Sequence, residues 1–173
     1  MGALILISGA NGSGKSRWAE ELLRPFSGEK YYIATMVPQT EDNHLRIEKH
    51  RRQREGMGFR TLELPCGIDR APVSPESAVL LEDVSNLLGN AIFSQGKTWE
   101  NVYQELMRLR DGCTLLCAVT ISGLLPEDYG GETAAYIRDL NALNDRLTAA
   151  ADAAVKMHDG RPVPVKGEVR GVI

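Results

Sequence analysis

The chain has 173 residues, a formal net charge of −3, and 43% hydrophobic and 25% charged residues. That is the length and composition of one ordinary globular domain, without the global basic field that draws a protein to nucleic acid. No stretch approaches the roughly 20 apolar residues of a membrane-spanning helix, and the N-terminus lacks the basic region and cleavage site of a secretory signal, so a cytoplasmic location is expected.

The first predicted element is a strand over residues 3–8, Ala3-Leu4-Ile5-Leu6-Ile7-Ser8, an apolar run suited to burial. It leads into Gly9-Ala10-Asn11-Gly12-Ser13-Gly14-Lys15-Ser16, which fits G-x-x-x-x-G-K-[ST], the Walker A or P-loop pattern. A helix predicted over 15–24 follows, so the motif sits in the strand–loop–helix context that its chemistry requires. Gly9, Gly12 and Gly14 open backbone conformations closed to residues with a Cβ. Successive N–H groups then turn inward as an anion nest, and the helix start adds the positive end of its dipole. In this pattern Lys15 reaches the β- and γ-phosphates, and Ser16 places its hydroxyl on Mg²⁺.

The pattern continues with a strand over 30–35, a helix over 41–55, a strand over 60–64 and a proline-bearing loop over 66–77. Then come a strand over 78–82, helices over 84–94 and 98–110, a strand over 113–120 and a helix over 132–151. Strands over 153–157 and 163–165 close the chain around the turn Asp159-Gly160-Arg161-Pro162. Alternation of this kind predicts an α/β fold of the RecA-like P-loop NTPase type. Its sheet is mostly parallel, with helices on both faces and an antiparallel C-terminal edge strand, in one nucleotide-binding domain over 1–173.

The three cysteines, Cys66, Cys113 and Cys117, fit no closed disulfide framework and point to a reducing compartment. Cys113 and Cys117, four apart in a strand-like run, are expected on one face of that strand as small buried hydrophobes.

The helix over 41–55 is unusual, because its only large apolar residues are Leu45 and Ile47. It has no stripe with which to pack on a sheet. It is basic, and Arg46, His50 and Arg54 recur every four residues on one face. Two readings stand: a solvated helix, or an arm that brings cations and an imidazole to bound phosphates. The run Ala78-Val79-Leu80-Leu81-Glu82-Asp83 supplies the carboxylate that P-loop enzymes keep near the metal, at the end of a buried strand. Glu82 is the first candidate and Asp83 the second; one of the two can instead cap the next helix.

Several segments together resemble one family. They are Ser13-Gly14-Lys15-Ser16-Arg17-Trp18-Ala19-Glu20, Tyr32-Ile33-Ala34-Thr35, the helix Arg46-Ile47-x-x-His50-Arg51-x-x-Arg54, and Phe59-Arg60-Thr61-Leu62-Glu63. The family is the bifunctional adenosylcobinamide kinase/adenosylcobinamide-phosphate guanylyltransferase of cobalamin biosynthesis. The match is dense from residue 1 to about 93 and looser from 113 to 155. The resemblance implies two reactions. ATP or GTP phosphorylates the aminopropanol hydroxyl of adenosylcobinamide; GMP from GTP then passes to that phosphate through a histidine adduct, and the matching histidine is His50. Nucleotide contacts are implied across residues 9–16 and at Thr35, Arg46, Arg51, Arg54, Glu63 and Glu82, with Mg²⁺ at Ser16, Glu82 and Asp83. A cytoplasmic homotrimer, with the histidine helix displayed away from the sheet, is implied as well.

Departures from the family pattern gather after the fifth strand. Thr120-Ile121-Ser122-Gly123-Leu124-Leu125-Pro126 replaces the usual Asn-Glu-Val-Gly and Gly-x-x-Pro, and the end of the chain differs too. Two other functions stay open on these residues: a nucleotide-binding regulatory module, or a P-loop kinase of another small molecule. A nucleic-acid role is not expected, since the basic patch is one helix without aromatic stacking platforms.

Overall fold

The computed structural model describes all 173 residues. Its strands are β1 (Ala3–Gly9), β2 (Lys30–Ala34), β3 (Phe59–Glu63), β4 (Ala78–Glu82), β5 (Leu115–Ile121), β6 (Ala153–His158) and β7 (Arg161–Lys166). Its helices are α1 (Lys15–Leu23), α2 (Glu41–Arg54), α3 (Val84–Gln95), α4 (Trp99–Asp111) and α5 (Gly131–Ala150). The strands form one sheet in the order β3-β2-β4-β5-β1-β6-β7. Every neighbouring pair is parallel except β6–β7, which is antiparallel. The mostly parallel sheet and its antiparallel edge are as the sequence predicts. No helix is long and apolar enough to cross a membrane.

Continuous apolar runs need cover on both faces, and the residues of each strand divide between two cores accordingly. Leu4, Leu6, Val79, Leu81, Leu116 and Ala118 face α3, α4 and α5. Ile5, Ile7, Leu80, Leu115, Cys117 and Val119 face α1 through Ala19 and Leu23. One expectation fails here. Cys113 lies in the turn before β5, because the strand begins only at Leu115. Cys113 packs in the first core and Cys117 in the second, so the two thiols do not share a face. Both are free and buried. Burial pushes the Cys113 thiol up to about 11 and the Cys117 thiol higher still, so neither is a ready thiolate.

Because β1, β2, β4 and β5 run parallel, their C-terminal ends lie along one edge of the sheet. Gly9 pairs with Ile121, Glu82 with Val119, and Ala34 with Glu82. This edge carries the P-loop after β1 and the two acids after β4, with β5 between them. The end of β5 is fixed from the α5 side. Thr120 is fully buried and donates to Asn144 Oδ1 at 2.7 Å, while Asn144 Nδ2 donates to the Ile121 carbonyl at 2.9 Å. Replacing Thr120 with Val leaves the Asn144 oxygen buried without a donor. Urea unfolding of Thr120→Val is expected to show a loss of about 1–3 kcal/mol at unchanged m-value.

Candidate functional site

The P-loop is shaped by close approach as well as by φ. A side chain at Gly9 would meet Ser13 Oγ at 2.6 Å and the Met157 carbonyl at 3.1 Å. Gly12 has open space around it but φ of 75°, so conformation rather than room demands glycine there. Lys15 folds back onto its own loop, its ammonium donating to the Ala10 carbonyl at 2.9 Å. Burial holds the Lys15 pKa below its ordinary value, with Asp83 and Glu82 opposing.

The loop opens on a cavity of about 340 Å³ lined by Asn11, Gly12, Gly14, Lys15, Ser16 and Arg17 from the loop side. Val119 of β5 contributes its one apolar wall, and Glu82 and Asp83 stand opposite. From α2, Arg46, Lys49, His50 and Gln53 close it. Those four positions follow i, i+3, i+4, i+7, one face of a helix. The face is amphipathic in charge instead of in apolarity, which is why a search for an apolar stripe misses Lys49 and Gln53.

Three side chains meet in this cavity. The Ser16 hydroxyl donates to Glu82 Oε1 and lies 3.4 Å from His50 Nδ1. The other carboxylate oxygen of Glu82 accepts from the Tyr32 hydroxyl at 3.1 Å. Burial raises the Glu82 pKa to about 7, against the opposing hydrogen bond from Ser16, while the neighbouring Asp83 raises it further. The two acids divide their work. Asp83 caps α3, its Oδ1 accepting from the Asn86 amide and the Ser85 hydroxyl, each at 2.7 Å. Its pKa is also raised, first by burial. Thr35 is fully buried and does not line the cavity; its hydroxyl donates toward the Glu82 and Asp83 carbonyls and accepts from the Asp83 amide at 2.8 Å. Thr35 therefore shapes the turn that presents the acids.

Helix α2 is held by polar ties. Gln53 donates to Glu20 of α1, a carboxylate in a residue with no solvent exposure. The Arg54 guanidinium sits 3.4 Å from the centre of the Tyr32 ring and donates to Thr61 Oγ1 at 3.2 Å. Arg54, 7% exposed, is thus an anchor under the helix. Arg51 turns away from the P-loop cavity and pairs with Glu63 of β3 at 2.6 Å. That pair lines a separate cleft of about 730 Å³ with Ala34, Met36 and Ile47. So the structure gathers Lys15, Ser16, Arg46, His50, Glu82 and Asp83 around the P-loop cavity. Arg51, Arg54 and Glu63 do not line that cavity but border a smaller one of about 60 Å³ with Arg46, His50, Glu82 and Asp83, and Thr35 lines neither. Tyr32, Glu20 and Gln53, for which no motif spacing predicts a role, hold the gathered group in place.

The electrostatics favour a neutral imidazole. Burial lowers the His50 pKa first, and Arg54, Arg46 and Lys49 lower it further. An unprotonated nitrogen therefore faces the phosphate site at neutral pH.

A Walker A loop after β1, and an acid two strands away on the same sheet edge, define a P-loop NTPase fold. Solved structures agree. The flagellar accessory protein FlaH from Methanocaldococcus jannaschii matches with a TM-score of 0.59 at 11% identity, covering 96% of this chain and 79% of that one. A prototypical ATPase from the type III secretion system of pathogenic bacteria matches with a TM-score of 0.54 at 9% identity, covering 90% and 51%. These likenesses concern the fold alone.

The family model for cobinamide kinase / cobinamide phosphate guanyltransferase matches residues 5–165, and the chain belongs to that family. The bifunctional adenosylcobalamin biosynthesis protein CobU of Escherichia coli (strain K12) is 30% identical over 94% of this chain and 99% of its own length. The protein of the same name from Salmonella typhimurium is 29% identical over the same shares.

The Glu82 environment carries a pH signature. A carboxyl whose folded pKa lies above its unfolded value stabilises the fold fully below about 4.5, and that contribution is lost as pH rises through about 7. In ligand-free protein the loss amounts to about 3 kcal/mol. Glu82→Gln is expected to remove most of this pH dependence, so unfolding free energies of parent and variant should diverge as pH rises from about 4.5 to about 7.

Proposed function

We propose that this chain catalyses both transfers, phosphorylating adenosylcobinamide with ATP or GTP and then guanylylating the product through a His50 adduct. The observation that supports this most directly is the 3.4 Å approach of His50 Nδ1 to Ser16 Oγ, at the mouth of a loop built for polyphosphate. Polar ties hold α2 there in place of an apolar stripe, and the face it turns to the loop, with Arg46, Lys49 and His50, complements phosphate charge.

In the first reaction the substrate hydroxyl oxygen forms a bond to the γ-phosphorus as the bond to the β–γ bridging oxygen breaks; the nucleoside diphosphate leaves and the hydroxyl proton is released to solvent. The Lys15 ammonium and the free loop amides stabilise charge on the transferring group. In the second, the neutral imidazole attacks the α-phosphorus of GTP and pyrophosphate leaves. A phosphate oxygen of adenosylcobinamide phosphate then attacks the same phosphorus, the N–P bond breaks, and adenosylcobinamide-GDP departs with the imidazole restored. Arg46 and Lys49 offset charge on the pentavalent phosphorus and on the departing pyrophosphate.

Ser16 and Glu82 fit Mg²⁺, because both present hard oxygen donors and already meet through a hydrogen bond, with Asp83 lining the same cavity. These residues would hold the ion, and when bound it neutralises phosphate charge. Arg51 and Glu63, paired outside the P-loop cavity, would then act on parts of the substrates beyond the polyphosphate. We further propose a cytoplasmic homotrimer as the working assembly.

Two measurements test this. Incubation with α-labelled GTP is expected to leave acid-labile label on the protein, absent in His50→Asn, while His50→Asn keeps phosphoryl transfer to adenosylcobinamide within about tenfold of the parent. Protein without label but with phosphoryl transfer intact would make the chain a plain kinase. Since the His50 pKa is depressed by burial and by its cationic neighbours, the midpoint of the decline in labelling with falling pH is expected below the ordinary imidazole value of about 6.5. A midpoint above that value would contradict the assigned environment of the imidazole.

A further inference from the structure

The β6–β7 hairpin has no part in the two transfers, yet its tip touches the phosphate loop. Asp159 and Gly160 turn the chain with φ of 47° and 79°, the left-handed pair for which Asp-Gly is a favoured hairpin sequence. The turn delivers the Gly160 amide to the Ser13 carbonyl, donor to acceptor 2.9 Å. The same approach sets Gly160 Cα against the loop, so that a β-carbon at Gly14 would lie 3.1 Å from it. Position 14 is therefore constrained twice, by φ of 89° and by the hairpin.

The consequence lies in one peptide plane. The Ser13–Gly14 bond is trans. In a trans peptide the C=O and the following N–H point in opposite directions. Gly160 holds the Ser13 carbonyl toward the hairpin, and so turns the Gly14 amide the other way. Gly14 lines the P-loop cavity and Gly160 does not. The amides of Gly14, Lys15, Ser16 and Arg17 donate to no backbone carbonyl, leaving them for a ligand.

We propose that the hairpin tip is a positioning element of the phosphate site: the Gly160 N–H fixes the Ser13–Gly14 peptide so that the Gly14 N–H is aimed at a polyphosphate oxygen before the ligand arrives. This rests on the P-loop reading of residues 9–16 and adds a part that the Walker pattern does not contain. A peptide held by a second hydrogen bond has less freedom to lose on binding, which is where preorganisation gains affinity. The hairpin reaches the loop because β6 pairs with β1 in parallel, bringing Met157 beside Gly9. The turn that follows His158 then overhangs the turn that follows Gly9.

The test exchanges the Gly160 amide for an ester, by incorporating glycolic acid at that position in cell-free synthesis, and compares it with Gly160→Ala, which keeps the N–H. Inorganic tripolyphosphate with Mg²⁺ is the probe, followed by calorimetry beside the unfolding midpoint. The ester is expected to weaken tripolyphosphate binding about three- to tenfold, the worth of one hydrogen bond. Gly160→Ala is expected to lower the unfolding midpoint, through strain at positive φ, and to bind within about twofold of the parent. An ester that binds like the parent, or an alanine variant that loses as much affinity as the ester, overturns the proposal. A parent that binds no tripolyphosphate overturns the P-loop reading and this inference with it. Should the ester chain not fold, NMR of the parent decides: the Gly14 amide proton is expected to move downfield when tripolyphosphate binds, and an unmoved resonance overturns the proposal.

Discussion

The site depends on a contact between the start of α1, the helix that follows β1, and the end of β4, a strand that is not a neighbour of β1. β1 and β4 are separated by β5, a gap of about two strand spacings, or roughly 10 Å. The Ser16 hydroxyl and the Glu82 carboxylate close it with one hydrogen bond above Val119. Every other feature of the cavity is arranged around that junction. Tyr32 holds the far oxygen of Glu82, Thr35 shapes the backbone behind it, and Asp83 commits one oxygen to the cap of α3. A carboxylate buried this way lowers stability at high pH, and the penalty is retained because it places an acid against the P-loop.

Helix α2 shows how a helix is positioned without a hydrophobic face. Its ties are a guanidinium on an aromatic ring, an amide to a buried carboxylate, a hydroxyl beside an imidazole and an exposed ion pair to β3. Such ties are individually modest and depend on charge and hydrogen bonding rather than on buried apolar area. Leu45, 61% exposed on the opposite side, is claimed by no core. These ties leave the imidazole of His50 close to the phosphate loop.

Much of this is legible in the residues. The P-loop has a fixed spacing, and the strand alternation between β1 and β5 gives a parallel sheet directly. The Glu82-Asp83 pair is readable as two acids for two tasks, and the structure shows which of them caps the helix: Asp83. Other parts are hidden for physical reasons. The i,i+4 rule puts Arg46, His50 and Arg54 on one face, but it cannot say that Tyr32 draws Arg54 under the helix. Likewise, Arg51 and Glu63 lie twelve residues apart, and only the folding of α2 onto β3 makes them partners. Cys113 is misplaced when β5 is extended two residues too far, because the alternation of faces stops where the strand does. The contact of Gly160 with Ser13 joins segments far apart in sequence, where no motif spacing reaches.

The imidazole of α2 and the polyphosphate of the P-loop must share one cavity if both transfers occur on this chain. A crystal structure with a non-hydrolysable GTP analogue, cleaved by neither step, measures this directly. A His50 ring nitrogen is expected about 3–3.5 Å from the α-phosphorus, roughly in line with the bond to the departing pyrophosphate. Triphosphate seated on Lys15 with His50 remote from the α-phosphorus in every subunit would contradict it.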